Sequence, residues 1–301
     1  MYLRPAFALL LVALSFALSP PRAATQGRRV SVAVLDMGGS PIAARVAERL
    51  TRLFASFTIK GTKLVLLDRG MSAAAARGVG YAGSLNLTLA EARSLGSAVG
   101  CDFYLTGDAQ TVRRSSSARP VYFEAYASVF VVSARTGRLV MWERPAAEAA
   151  TPEEAERALL AALESSAFLY AGAAAAEAGR EERERFAPPE PAGAPVIDLS
   201  TDEAAGAGTD LREPAPYRRL RPAYTDAASR AEAEATVDAS VEIGADGEVR
   251  DVRVVRWAGF GLDEEVVSTV RRMHFRPAER EGEPVAVRVF LRYNFRKPSK
   301  T

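Results

Sequence analysis

The residues that could carry chemistry are few. His274, in VRRMHFRP, is the single histidine of the 301-residue chain, and Cys101, in VGCDF, is the single cysteine. One imidazole and one thiol cannot supply the several nitrogen or sulfur ligands of a zinc or thiolate metal site. Nucleophilic catalysis with a histidine base would have to be built around His274. That residue falls where an amphipathic helix ends, among Arg271, Arg272 and Arg276, and cations are favoured at a helix C-terminus. It reads as structural. Aspartates close three strand-like runs: Asp36 in VAVLD, Asp68 in VLLD and Asp108 in YLTGD. They come from different strands without a paired acid, so they read as caps and turn formers, and a hydrolase using them is the third-ranked reading. GVGYAG places Gly78, Gly80 and Gly83 at dinucleotide-loop spacing. Such a loop must follow a strand directly and open a helix; here residues 71–77 intervene and SLNLT follows, so a flexible loop is expected. The chain is expected to be no enzyme and to use no cofactor or metal.

Bulk properties narrow the classes further. A formal charge of +2 at pH 7 lacks the strongly basic face of a nucleic-acid binder. At the N-terminus, Arg4 precedes an apolar run over residues 6–18, followed by small residues and prolines. This is the layout of a secretory signal occupying residues 1–24, and the run is shorter than the roughly 20 residues of a spanning helix. No later segment reads as a bilayer span, because the alanine-rich stretch near 171–178 ends in EERER. The mature chain is expected in the periplasm, with inner-membrane anchoring as the alternative.

The elements that would position functional groups follow from periodicity. RRVSVAVLDM alternates as a strand, and GGSP starts a helix with Ser40 as N-cap and Pro41 at the first helical position. Ile42, Val46, Leu50, Leu53 and Phe57 recur at helical spacing. KLVLLD is a continuous apolar strand, as in a sheet covered on both faces. LTLAEARSLGSAVG reads as a helix and DFYLTGDAQTV as a strand. VYFEAYASVFVVSA and RLVMWE form a hairpin across RTG. Thr151 and Glu154 open a long helix as a capping box. Residues 28–180 thus read as a layered α/β domain, βαβαβββα. Residues 181–216 are rich in Pro, Ala, Gly and acids and read as a linker.

Residues 217–297 read as a second, smaller ββαβ domain, giving an α+β and α/β chain in all. TVDASVEI alternates, GADG turns the chain, and EVRDVRVVRW returns as the hairpin partner. LDEEVVSTVRRM is a helix with acids first and arginines last, and PVAVRVFLRYNF is a long closing strand.

These tail residues resemble the C-terminal domain of TonB-type energy transducers. The resemblance rests on Tyr224, the Asp246-Gly247 turn, VRDVRVV at 249–255, LDE at 262–264, and VRRMHFRPA at 270–278. It implies a small non-catalytic domain that takes an extended peptide, near the N-terminus of an outer-membrane receptor, as a strand beside its last strand. The partner-binding residues would then be Val287, Arg288, Val289, Phe290, Leu291, Arg292 and Tyr293, with Arg288 and Arg292 either holding acidic peptide side chains or guarding the edge. Energy-coupled transmembrane transport would follow, with an inner-membrane motor as a further partner. In such transducers, however, an uncleaved helix with an intramembrane histidine couples to the motor, and the apolar run here contains no histidine. The positions Tyr224-Thr225 and Ala235 also depart from the usual tyrosine-proline and glycine. More loosely, residues 32–36, 65–69, 100–108 and 135–140 resemble the periplasmic α/β domain of curli-secretion and TolB N-terminal-type proteins. That resemblance implies an envelope assembly or secretion scaffold, in which the tail would be an adaptor or a homodimerisation element.

Overall fold

The computed structural model describes residues 28–55, 57–59, 61–117, 120–188, 195–199 and 211–297. The signal read at residues 1–24 lies outside them. The front of the chain builds β1 (Arg29–Val34), α1 (Pro41–Phe54), β2 (Thr58–Ile59), β3 (Thr62–Leu66), α2 (Arg69–Gly78) and α3 (Leu89–Val99). It continues through β4 (Phe103–Arg114), β5 (Tyr122–Ser133), β6 (Leu139–Glu143), β7 (Ala146–Ala149) and α4 (Pro152–Phe186). Seven strands form one sheet in the order β2-β3-β1-β4-β5-β6, with β7 also on β5. β1 runs parallel to β3 and β4, and the remaining pairs are antiparallel. Ser40 caps α1, its Oγ accepting from the Ala43 N–H at 3.1 Å with Pro41 in the first turn. β2, α2 and β7 are additions to the sequence reading. They are short, and α2 is alanine-rich, so neither period is strong.

The sheet has two very different faces. One is covered completely: α1 buries Ile42, Val46, Leu50 and Phe54, and α4 buries Leu159, Leu163 and Tyr170, against Val129, Val131 and Leu105. α4 is longer than expected, running to Phe186 into the segment read as linker, because acid–arginine pairs such as Arg135–Glu181 (2.8 Å) tie its last turns to the sheet. It is also long and apolar enough to cross a membrane by length and composition, which corrects the sequence reading. Alanines make it so, and many of them are buried in the front core. The other face carries Tyr104, Phe130 and Val132, and only the short helices α2 and α3 cover it locally.

The tail domain completes that second face. After β8 (Ile197–Asp198), β9 (Leu211–Arg212) and β10 (Ala215–Pro216), the chain forms α5 (Asp226–Ala231), β11 (Ala235–Ile243), β12 (Val249–Arg256) and α6 (Leu262–Arg271). β13 (Phe275–Arg276), β14 (Ala278–Arg280), β15 (Glu283–Val285) and β16 (Val287–Phe295) follow. The tail sheet is β12-β11-β16-β8. Its hairpin turn requires Gly247, which sits at φ +82° and has Phe275 O 2.0 Å from where a Cβ would lie. Pro284 and Val285, read as the start of the last strand, instead belong to β15 and pair with β14.

The two domains share one core. Trp257 is 2% exposed and stacks on Phe130 (centroids 5.8 Å apart), while its Nε1–H donates to Gly137 O at 3.0 Å. Phe260 packs edge-on to Phe130 at 5.5 Å and lies 5.5 Å from Trp142. Asn86, in the loop after GVGYAG, accepts from Thr236 N–H (3.0 Å) and donates to Thr236 O (2.7 Å) and Trp257 O (2.6 Å). It takes the place that a β12 residue would occupy beside β11. That loop was expected to be flexible; it is the seam. Asp263 closes it from the tail side, its two oxygens accepting from Ala258 N–H (2.9 Å) and Gly259 N–H (2.7 Å).

Two outcomes follow. Trp257→Ala should cost about 3–5 kcal/mol, the range for emptying a buried aromatic site, as read by urea unfolding. Burial pushes the Asp263 carboxyl up to about 7, against the pull of its two backbone donors. An unfolded aspartate releases its proton near about 4, so the stability from holding that proton is complete below about 4. It is lost as pH rises through about 7. The native chain should lose more stability than Asp263→Asn between about pH 5 and about pH 8, in denaturant melts of both; parallel curves would refute this.

Candidate functional site

The positions picked out by chemistry are spoken for one by one. Asp36 pairs with Arg69 at 2.9 Å and Arg77 at 3.6 Å. Asp68 caps α2, accepting from Met71 N–H at 2.8 Å. Asp108 accepts from Gln110 Nε2 at 2.9 Å, and burial raises its carboxyl. Burial, with the charge of Asp102, pushes the Cys101 thiol up to about 12. His274 is exposed, and its Nδ1 lies 2.9 Å from Glu248 Oε1. Its backbone forms an isolated bridge with Glu248, closing one end of β12. No group of three or more potential metal ligands occurs among the described residues. A cleft of about 430 Å³ lies at the seam, lined in part by Asp108, Tyr126, Asn86, Glu234 and Phe260. It joins residues from both domains, so no local motif marks it.

The seven edge residues all lie on β16. One side of that strand is fully used: β11 pairs with it without a register break from Ala235↔Phe295 to Ile243↔Val287. On the other side, among the described residues, only β8 pairs, opposite Val287 and Arg288. Leu199 N–H donates to Arg288 O, so the backbone of Arg288 faces away from β11. Backbone direction alternates along a strand, and the N–H and C=O groups of Phe290, Arg292 and Asn294 therefore face the same open side. Val287, Val289, Leu291 and Tyr293 direct their backbones to β11 and their side chains to the core beneath α6. Tyr293 Oη lies 3.7 Å from Met273 Sδ.

On the outer face the two arginines have partners. Arg292 makes a bidentate pair with Asp238, at 2.7 and 3.0 Å, and this hydrogen bonding raises its pKa. Asp238 is 2% exposed and also takes Arg256 Nε at 3.2 Å. Arg288 reaches Glu242 at 3.2 Å and Asp198 at 3.4 Å. Phe290, by contrast, is 42% exposed, with the Arg292 guanidinium 5.4 Å from its ring centre. Asp238, an acid in an alternating strand, is a residue that the sequence pattern left unassigned. At the approach to the sheet, Tyr224 Oη donates to Ala233 O (2.9 Å) or Ala228 O (3.1 Å), and Thr225 caps α5 through Ala228 N–H (3.0 Å). The Thr225 cap is a hydrogen bond that a proline at 225 could not make.

Backbone direction makes a separable prediction. Val289→Pro removes a donor from the β11 ladder and should destabilise the chain by about 1–3 kcal/mol. Phe290→Pro removes an outward donor and should shift the urea midpoint far less; equal shifts would place the alternation wrongly.

Comparison with known proteins bears on the same segment. Residues 221–296 match the family model described as Gram-negative bacterial TonB protein C-terminal. No curated protein matches the chain. Among solved structures, the solution structure of the Pseudomonas aeruginosa TonB C-terminal domain is 24% identical, covering 35% of this chain and 95% of that one, with a TM-score of 0.26. The hypothetical protein CT253 from Chlamydia trachomatis is 15% identical over 45% of this chain and 96% of that one, with a TM-score of 0.31. The LpoB C-terminal domain from Salmonella enterica is 17% identical over 42% of this chain and 85% of that one, with a TM-score of 0.27. The segment that carries β11, β12, α6 and the β16 edge is a domain of the TonB C-terminal family.

Proposed function

We propose that this chain is a non-enzymatic, TonB-like envelope protein that binds an extended segment of a partner as an added strand along β16. The observation that carries the reading is the open side of that strand, where Phe290, Arg292 and Asn294 present backbone donors and acceptors to no strand among the described residues. A strand edge of this kind takes a peptide with little demand on side chains. Phe290 adds an exposed ring for contact. An outer-membrane receptor N-terminal peptide is the partner that the domain family suggests, and transport coupled to an inner-membrane motor is the role it would serve.

A second reading is favoured by the seam. With Trp257 buried against Phe130, the tail is a fixed part of a larger body rather than a module on a tether. That arrangement suits an assembly scaffold whose tail is an adaptor or joins a second copy. The two readings separate in one titration of the full chain with receptor N-terminal peptides, followed by calorimetry. Strand addition predicts binding that drops about tenfold or more in Phe290→Pro, the loss of a ladder hydrogen bond and its neighbours, and persists in Phe290→Ala. No binding, with a concentration-dependent dimer, would instead favour the scaffold.

A further inference from the structure

The chain returns to the sheet it is about to build. Before the tail begins, Ile197 N–H donates to Ala286 O at 3.0 Å and Leu199 N–H to Arg288 O at 2.7 Å. The pairing is parallel, with Ile197 opposite Val287 and Asp198 opposite Arg288. Ile197 and Leu199 pack against the shared core, and the Asp198 carboxylate lies 3.4 Å from the Arg288 guanidinium. Backbone pairing, apolar side chains at alternate positions and a charge match on the other face are the three things a bound strand would need.

We propose that residues 196–199 are an internal competitor for the partner-binding edge, and that the partner enters parallel, in the same register, with an acid between two apolar residues. The inference rests on the strand-addition reading above and deepens it. Among the described residues the internal strand is short, pairing two residues, and Ile197, Asp198 and Leu199 all remain partly exposed. The Asp198–Arg288 pair is itself largely solvated, with side chains 42% and 39% exposed, so it holds the strand weakly. Covalent attachment nevertheless gives it a high effective concentration. A partner overcomes that advantage by length. It can pair first with the open groups of Phe290, Arg292 and Asn294, and then replace Leu199 and Ile197 in turn, gaining ladder bonds that residues 196–199 do not make. A short or weakly matched segment cannot, so the occupied head of the edge filters its ligands.

The test uses the full chain and a synthetic peptide of residues 195–206, titrated to millimolar concentration while the Arg288 and Phe290 amides are followed by NMR. Leu199→Pro removes one of the two internal donors, and Asp198→Lys sets a cation against Arg288 without touching the backbone. Both variants should bind the peptide more tightly than the native chain, Leu199→Pro by about tenfold. Retention of the native melting temperature in Asp198→Lys shows that the gain is not unfolding. Equal affinity in all three chains overturns the internal competitor and leaves strand addition standing. No amide shift in any of them overturns both.

Discussion

Everything in this molecule is arranged around a sheet face that its own helices leave bare. Two long helices, α1 and α4, seal one side of the front sheet, but α2 and α3 are too short to cover the other. Phe130, exposed there in an isolated front domain, would present an apolar patch to water. Trp257 and Phe260 fill the gap. Both come from the loop between β12 and α6, so the contact fixes the tail sheet by one end and leaves β16 on the far side of β11. The burial of two aromatic rings therefore orients the edge that a partner would meet.

A second constraint is electrostatic. Asp238 is a carboxylate nearly removed from water, and an acid in that position is held only if cations and hydrogen bonds replace the lost solvent. Arg256 and Arg292 supply them from the strands on either side. The same three side chains therefore bind β12, β11 and β16 across the outer face. Arg292 is committed to this work, and Arg288 is divided between Glu242 and Asp198. If β16 takes a strand as proposed, recognition there would fall to the backbone and to Phe290, reading shape and extension more than charge.

Local periodicity made the strands, the helices and several caps legible from the sequence, and Ser40, Thr151 and the Asp246-Gly247 turn act as their residue types suggest. The edge strand was legible too, through the alternation of VRVFLRYNF. What escaped was non-local. A two-residue strand such as Ile197–Asp198 has no period to detect, and only its partner across the fold makes it a strand. The loop holding Asn86 looks like any glycine-rich connector until Thr236 and Trp257 are placed beside it. Trp257 and Phe260, two large rings in a glycine-flanked loop, were the available hint that this stretch is buried.

The ends of β12 have a consequence for growth by pairing. The Glu248↔His274 bridge closes one end of its outer side, and the Thr88↔Arg256 bridge closes the other. Between those bridges, residues 250–255 of β12 face no strand among the described residues. The tail sheet therefore has two margins of unequal reach: β12, pinned at both ends, and β16, held by β8 only opposite Val287 and Arg288 among the described residues. A strand laid along β12 would have to fit between two fixed posts, whereas one laid along β16 meets a post at one end only.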